Sequence, residues 1–198
     1  MDLTRPAWLE IDLDRMQYNF DEIRKIVPMT ADIMAVVKAD AYGHGASRVA
    51  KELMSFGVKR FGVATLSEAL NIRKKSPKAQ VLIMGYNPEY LAQTAIENSI
   101  RTTVYLKEQA EHLSRTAAAI RKDAIVHIKL ETGMNRLGFL PNEESLEIIS
   151  SIAKMSNIII EGIFTHFPAS DDDWDYTRKS MNKFLDFVAK LESMGVKI

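Results

Sequence analysis

The sequence predicts an α/β fold, a (β/α)8 barrel of the TIM type, of which the 198 residues supply about six strand–helix units. Three features carry that reading. Short apolar runs alternate with helix-period stripes along the chain. The runs are apolar on both faces, as strands are in a parallel sheet covered by helices. The connections are short, and no glycine-rich cofactor turn follows the first strand, which favours a barrel over a doubly wound sheet.

The elements follow in order. Leu13, Met16, Phe20, Ile23 and Val27 stripe a first helix. The run 33–37 is a strand that ends at Lys38. Val49, Leu53 and Phe56 share one helix face, and 61–64 is the next strand. Thr65-Leu66-Ser67-Glu68 fits a capping box that opens a helix. After the strand 81–84, Asn87-Pro88 predicts an N-cap followed by proline in the first helical position. The run 102–105 is a strand, and Ala110, Leu113, Ala117 and Ile120 mark a helix. Alternation over 125–130 sets Ile125, His127 and Lys129 on one side and Val126, Ile128 and Leu130 on the other. Pro141-Asn142 opens a helix, 158–164 is a sixth strand, and Phe184, Val188 and Leu191 stripe the last helix. Trp8 to Ile11 alternates like a strand that pairs outside the barrel rhythm.

Bulk properties exclude several classes. Lysine plus arginine equals aspartate plus glutamate, 26 against 26, so no charge excess calls for nucleic acid or an anionic membrane. Cysteine is absent, which removes disulfides, thiolate metal sites and a cysteine nucleophile, and agrees with a cytoplasmic location. The start lacks the apolar core of a signal peptide, and the longest apolar runs are too short to span a bilayer.

Chemistry in a barrel sits at the C-terminal ends of the strands. Lys38 stands at such an end, where partial desolvation disfavours the ammonium and favours a nucleophilic amine. A lysine there also serves simply as a rim residue with a buried stem. Tyr42, one turn on, is placed to hydrogen-bond a phosphate, and Gly43 and Gly45 allow close backbone approach. Lys129 points inward with His127, where a free ammonium is costly. Arg136 follows on a loop between Gly133 and Gly138 and offers a fork to a carboxylate or phenolic oxygen, unless it is only a surface charge. His166 closes the sixth strand, either to stack on a flat cofactor or as a core histidine. Asp171-Asp172-Asp173 is read as a solvated loop with no metal, because adjacent carboxylates repel and no further ligand is spaced to help. His44 and His112 receive no role.

Three stretches then carry a resemblance. Val-Val-Lys-Ala-Asp-Ala-Tyr-Gly-His-Gly at 36–45 resembles the cofactor-lysine motif of bacterial alanine racemases. Lys-Leu-Glu-Thr-Gly-Met-Asn-Arg-Leu-Gly-Phe at 129–139 is similar to their second signature, and Ile-Phe-Thr-His-Phe at 163–167 to a third. The resemblance implies an isomerase that uses pyridoxal 5'-phosphate to interconvert L- and D-alanine for peptidoglycan. Lys38 would form the internal aldimine and move the α-proton on one face. Tyr42 would contact the cofactor phosphate, Arg136 the ring's phenolic oxygen and the substrate carboxylate, and His166 the back of the ring. Lys129 would be carbamylated and hold Arg136. The second base would be a tyrosine from the C-terminal β-domain of a partner subunit in a homodimer.

The resemblance covers about half of a typical member. It implies that residues 1–11 hold a strand pairing with a C-terminal β-domain absent here, and that 12–198 form a partial barrel. These residues are expected to be either a fragment of a longer gene product or only the ordered part of one, and to be inactive by themselves. Other readings stay open: a racemase of serine or of broad specificity, a non-catalytic pyridoxal-phosphate carrier protein, or an inactive barrel fragment.

Overall fold

The computed structural model describes residues 7–198. The expected strand over 1–11 falls partly on residues outside this range, and residues 7–12 lead into the first helix without regular structure. The chain divides into two compact units, residues 1–81 and 82–198. Among the described residues six strands follow chain order, β1-β2-β3-β4-β5-β6.

The first unit begins with helix α1 (Leu13–Ile26), whose Asp12 cap accepts from the Arg15 amide at 3.0 Å. Strand β1 (Met34–Val36) follows and leads into a short turn, α2 (Lys38–Tyr42). Helix α3 (Ala46–Ser55) buries Val49 of the expected stripe together with Ala46 and Ala50, while Leu53 and Phe56 are half-buried. Strand β2 (Arg60–Val63) pairs parallel with β1. Helix α4 (Leu66–Lys75) starts with the expected capping box of Thr65 and Glu68. Phe61, Val63, Leu66, Ala69 and Ile72 are buried in this unit.

Strand β3 (Gln80–Ile83) reaches the second unit. Here the structure corrects one expectation. Asn87 does not cap a helix, and Pro88 is not its first residue. Pro88 has an extended ψ of 144° and precedes a 3-10 turn (Glu89–Leu91), and helix α5 (Ala92–Glu97) starts only afterwards. Proline's ring fixes φ but leaves ψ free, so the dipeptide opens a turn as readily as a helix. Strand β4 (Arg101–Val104), helix α6 (Lys107–Ala119), strand β5 (Ala124–Lys129), helix α7 (Glu143–Ile152), strand β6 (Ile158–Phe164) and helix α8 (Trp174–Ser193) complete the chain. Asn142 caps α7 as predicted, accepting from the Ser145 amide at 2.9 Å.

The alternation in β5 sorts as expected. Val126, Ile128 and Leu130 join one core with Leu113, Leu146, Ile149, Phe187 and Leu191 from the helices. The opposite face carries charge. Arg101 forks onto Glu161 at 2.7 and 2.8 Å, and His127 Nε2 lies 3.1 Å from the same carboxylate. A bulge makes this possible: Val126 pairs with Ile160 and His127 with Gly162, so Glu161 has no partner in the ladder. Gly162 is required beside it, because a Cβ there would lie 2.9 Å from the His127 ring. The bulge thus sets the register of the last turns of β5 and β6, where the candidate residues emerge.

The Arg101 guanidinium holds the Glu161 carboxyl at about 2, against an ordinary 4.5, with His127 adding to the effect and burial opposing it. A depressed carboxyl contributes stability above pH 4.5 and loses it as pH falls towards 2. Thermal melts across that window are expected to show a falling Tm. Glu161→Gln is expected to lower Tm at neutral pH and to flatten the decline.

Candidate active site

The first unit supplies Lys38 and Tyr42. Val37 donates to the Gly62 carbonyl at 2.9 Å and is the last residue of the chain held against β2. The four residues after Lys38 then turn the opposite way from an ordinary helix. Ala39, Asp40, Ala41 and Tyr42 have φ of 50°, 53°, 54° and 54°. Each L-residue in that region costs roughly 1–2 kcal/mol, so the turn needs external support. Asp40 gives some: its Oδ1 accepts from the Ala46 amide at 2.7 Å, at the start of α3, and its carbonyl accepts from Gly45 at 2.9 Å. Glu68 gives the rest. Its Oε1 accepts from the Ala39 amide at 2.9 Å, and its Oε2 from Ala64 at 2.8 Å and Thr65 at 3.4 Å. Ala41 is buried beneath the turn, whereas Tyr42 is 65% exposed. Lys38 is half-buried, with its Nζ 5.8 Å from the centre of the Tyr42 ring.

The second unit supplies Lys129, Arg136 and His166. Lys129 is 4% exposed, the inward burial that the alternation predicts. Its Nζ donates to the Leu130 carbonyl at 2.6 Å and lies 5.5 Å from the centre of the Phe164 ring. Burial pushes its pKa down, Glu131 opposes this, and the Arg136 charge adds to it. The loop beyond it returns on itself: Glu131 donates to Phe139 O at 2.9 Å, and Phe139 donates to Lys129 O at 2.8 Å. Gly138, at φ 135°, makes the return possible, because a Cβ there would sit 2.6 Å from the Glu131 nitrogen.

Glu131 organises the residues between. Its side chain accepts from the backbone amides of Gly133 and Arg136. Burial pushes the carboxyl up, but the amides of Asn135, Gly133, Arg136 and Met134 outweigh that and hold it below the usual range. Helix α8 braces the same loop, with Ser180 Oγ donating to Thr132 O and Tyr176 Oη donating to Gly133 O, both at 3.1 Å. Arg136 and His166 are both exposed. Thr165, just before His166, has its hydroxyl 3.0 Å from Leu130 O and 2.8 Å from the Thr132 hydroxyl.

The second unit therefore brings Lys129, Glu131 and Arg136 into one electrostatic group beside the Thr165–His166 strand end. A cavity of about 620 Å³ lies on the α8 side of the loop, lined by Glu131, Thr132, Tyr176, Lys183 and Phe187 among others, and its lining omits Lys129, Arg136 and His166. Asp173 has a structural task, capping α8 by accepting from Tyr176 N at 2.9 Å. His112 bonds Glu89 through its ring. Sequence reasoning gave Glu68 only a helix-capping role and passed over Glu131, Thr165 and Tyr176. The capping-box spacing announced Glu68's position but not its reach back to Ala39.

Parallel strands alternating with helices, with a half-buried lysine at one strand end and a buried lysine near an exposed arginine at another, define a βα domain of the barrel class. The chain belongs to the family described as alanine racemase, N-terminal domain, whose model matches residues 11–198. It is 44% identical over 195 residues to the alanine racemase of Clostridium tetani (98% of this chain, 50% of the relative). It is 41% identical to that of Methanococcus maripaludis (99% of this chain, 53% of the relative). Among solved structures, alanine racemase from Clostridium difficile 630 in complex with cycloserine superposes with a TM-score of 0.96 at 38% identity, covering 100% of this chain and 54% of that one. The Bacillus anthracis enzyme with bound L-Ala-P gives 0.91 at 31% identity, covering 100% and 51%. The chain spans about half the length of the curated relatives it matches. The fold is thus a partial TIM-type barrel of six βα units.

Removing the buried Glu131 carboxylate strands the backbone donors that it collects from a half-buried loop. Glu131→Ala is expected to destabilise that loop by about 1–3 kcal/mol, the cost of a buried hydrogen-bonding group left without its partner. Hydrogen exchange checks this: the amides of 133–136 should exchange at least about tenfold faster, with the α3 amides unchanged.

Proposed function

We propose that the whole protein is a pyridoxal-phosphate-dependent alanine racemase, with Lys38 as the residue that carries the cofactor. The observation that supports this most is the half-buried amine of Lys38 on a braced, left-handed turn, within a chain that matches the alanine racemase N-terminal domain over 11–198. The donor set fits the cofactor. A primary amine meets an aldehyde, the phenol of Tyr42 a phosphate, the guanidinium of Arg136 a phenolic oxygen or a carboxylate, and the imidazole of His166 the flat face of a ring. Pyridoxal phosphate, when bound, supplies an electron-accepting ring that makes the α-proton of an amino acid acidic.

The chain's own residues divide the remaining work. Lys38 Nζ holds the cofactor and moves the α-proton on one face. Arg136, exposed on a loop fixed by Glu131, orients the substrate carboxylate. The other face needs a second proton-transfer group, and no residue of this chain is assigned to it. In the family reading it is a tyrosine from the partner subunit of a homodimer. The same reading places the enzyme in the cytoplasm, supplying D-alanine for peptidoglycan.

We also propose that Lys129 is carbamylated. Its neutral amine, favoured by burial, would bond to the carbon of CO2 and release one proton. The resulting anion would hold Arg136, whose charge disfavours a cation at Lys129. With ¹³C-labelled bicarbonate, a carbamate NMR signal is expected in the wild type and not in Lys129→Ala.

The deciding experiment uses the full-length protein with pyridoxal phosphate. An absorbance band at about 420 nm is expected to survive desalting and to be absent in Lys38→Ala, as covalent chemistry at a lysine requires. Exchange of the α-deuterium of D- and L-alanine with solvent should accompany it. Faster exchange of serine would move the substrate assignment, and a band without turnover would mark a carrier protein.

A further inference from the structure

The cofactor assignment leaves open what fixes Lys38 itself. Its strand contributes one last ladder bond, from Val37, and the next four residues lie in a conformation that L-residues avoid. Without an external anchor this turn would relax to the right-handed form and swing the Lys38 side chain with it. Beside the local bond of Asp40 to α3, the anchor nearest the lysine along the chain is a carboxylate 29 positions after Ala39.

We propose that Glu68 is a positioning residue for Lys38, resting on the reading that Lys38 carries the cofactor. Its two oxygens do different work. Oε2 serves its own helix, accepting from Ala64 and Thr65 at the mouth of α4. Oε1 leaves the helix and takes the Ala39 amide, the first backbone donor after Lys38, at 2.9 Å. The Glu68 amide donates to the Thr65 hydroxyl at 3.4 Å, which completes the capping box of α4 and is separate from the bond to Ala39. The position of the lysine is therefore referred to the start of α4, a rigid element, and not to a loop. A carboxylate is the suitable acceptor because it receives from both sides at once and binds amides more strongly than a neutral group does. Neither Glu68 oxygen is within ion-pair distance of the Lys38 amine, so the contact orients the residue through its backbone without neutralising it.

The test compares Glu68→Ala, Glu68→Gln and Thr65→Ala in the full-length holoenzyme. Thr65→Ala removes the helix-capping half of the arrangement and leaves the bond to Ala39. It is expected to lower Tm without altering the cofactor's visible band or the rate. Glu68→Ala is expected to weaken pyridoxal-phosphate retention and lower kcat by about tenfold or more each, the scale of a hydrogen bond to a charged acceptor, with a smaller change in KM. It should also shift the pH at which the band changes, and Glu68→Gln, which keeps one acceptor oxygen, should recover part of every effect. If Glu68→Ala lowers Tm as Thr65→Ala does and leaves the band, its pH profile and kcat as in the wild type, the proposal is overturned. If Glu68→Ala does not fold, the pH profile of Glu68→Gln decides: a shift supports the proposal and an unchanged profile overturns it. A wild type with no band at all would instead overturn the cofactor assignment, and this inference with it.

Discussion

Where a parallel strand ends, its backbone N–H groups lose their ladder partners, and this chain is organised around how the orphaned groups are satisfied. Two carboxylates do most of it. Glu68 collects the amides of Ala39, Ala64 and Thr65. Glu131 collects those of Gly133 and Arg136, with Met134 and Asn135 close enough to be felt. In each unit the loop that carries a candidate functional side chain is thereby fixed through its main chain. The side chains of Tyr42 and Arg136 remain exposed, because they are not needed to hold the loops in place.

The same economy governs charge on the inner-facing side of β5. His127 and Lys129 stand two residues apart on one strand face, and they meet opposite surroundings. His127 lies against a carboxylate that is itself forked by Arg101. Lys129 faces a backbone carbonyl and an aromatic ring, with Arg136 adding positive potential. The nearby carboxylate of Glu131, itself bonded to amides, relieves this only in part. A buried amine so placed gives up its proton more readily than a free one, because desolvation penalises the ammonium more than Glu131 repays it.

The arrangement of elements was largely legible from the sequence, because strand and helix periods are local. The βα rhythm, the Thr65–Glu68 capping box, the Asn142 cap and the inward register of Lys129 can all be read within a few residues. What was not legible depends on distance or on handedness. Arg101 and Glu161 are 60 positions apart, and nothing in either neighbourhood announces the bulge that joins them. Asn87-Pro88 carried a helix signal that a 3-10 turn satisfies equally well. The turn at 39–42 is the sharpest case. Ala-Asp-Ala-Tyr contains two of the best right-handed helix formers, so propensity points the wrong way. Only Gly43 and Gly45 hinted at an unusual backbone, and they lie after the turn.

That mismatch between propensity and conformation bears on the chemistry. Four consecutive left-handed residues carry a cost of roughly 4–8 kcal/mol at about 1–2 each, a large fraction of what a domain has to spare. Such a turn persists only where its surroundings over-determine it, and here they do. Val37 and Ala41 are buried on either side of Lys38, Asp40 bonds forward to α3, and Glu68 bonds Ala39 to α4. Both of these acidic residues, Asp40 and Glu68, are engaged with backbone amides. The negative charge needed to stabilise the turn is thus held at main-chain positions and does not pair with the Lys38 amine, whose described neighbour is the Tyr42 ring. A right-handed turn would have needed neither carboxylate. The left-handed one needs both, and by engaging them it leaves a half-buried amine at the strand end without an ion-pair partner among the described residues.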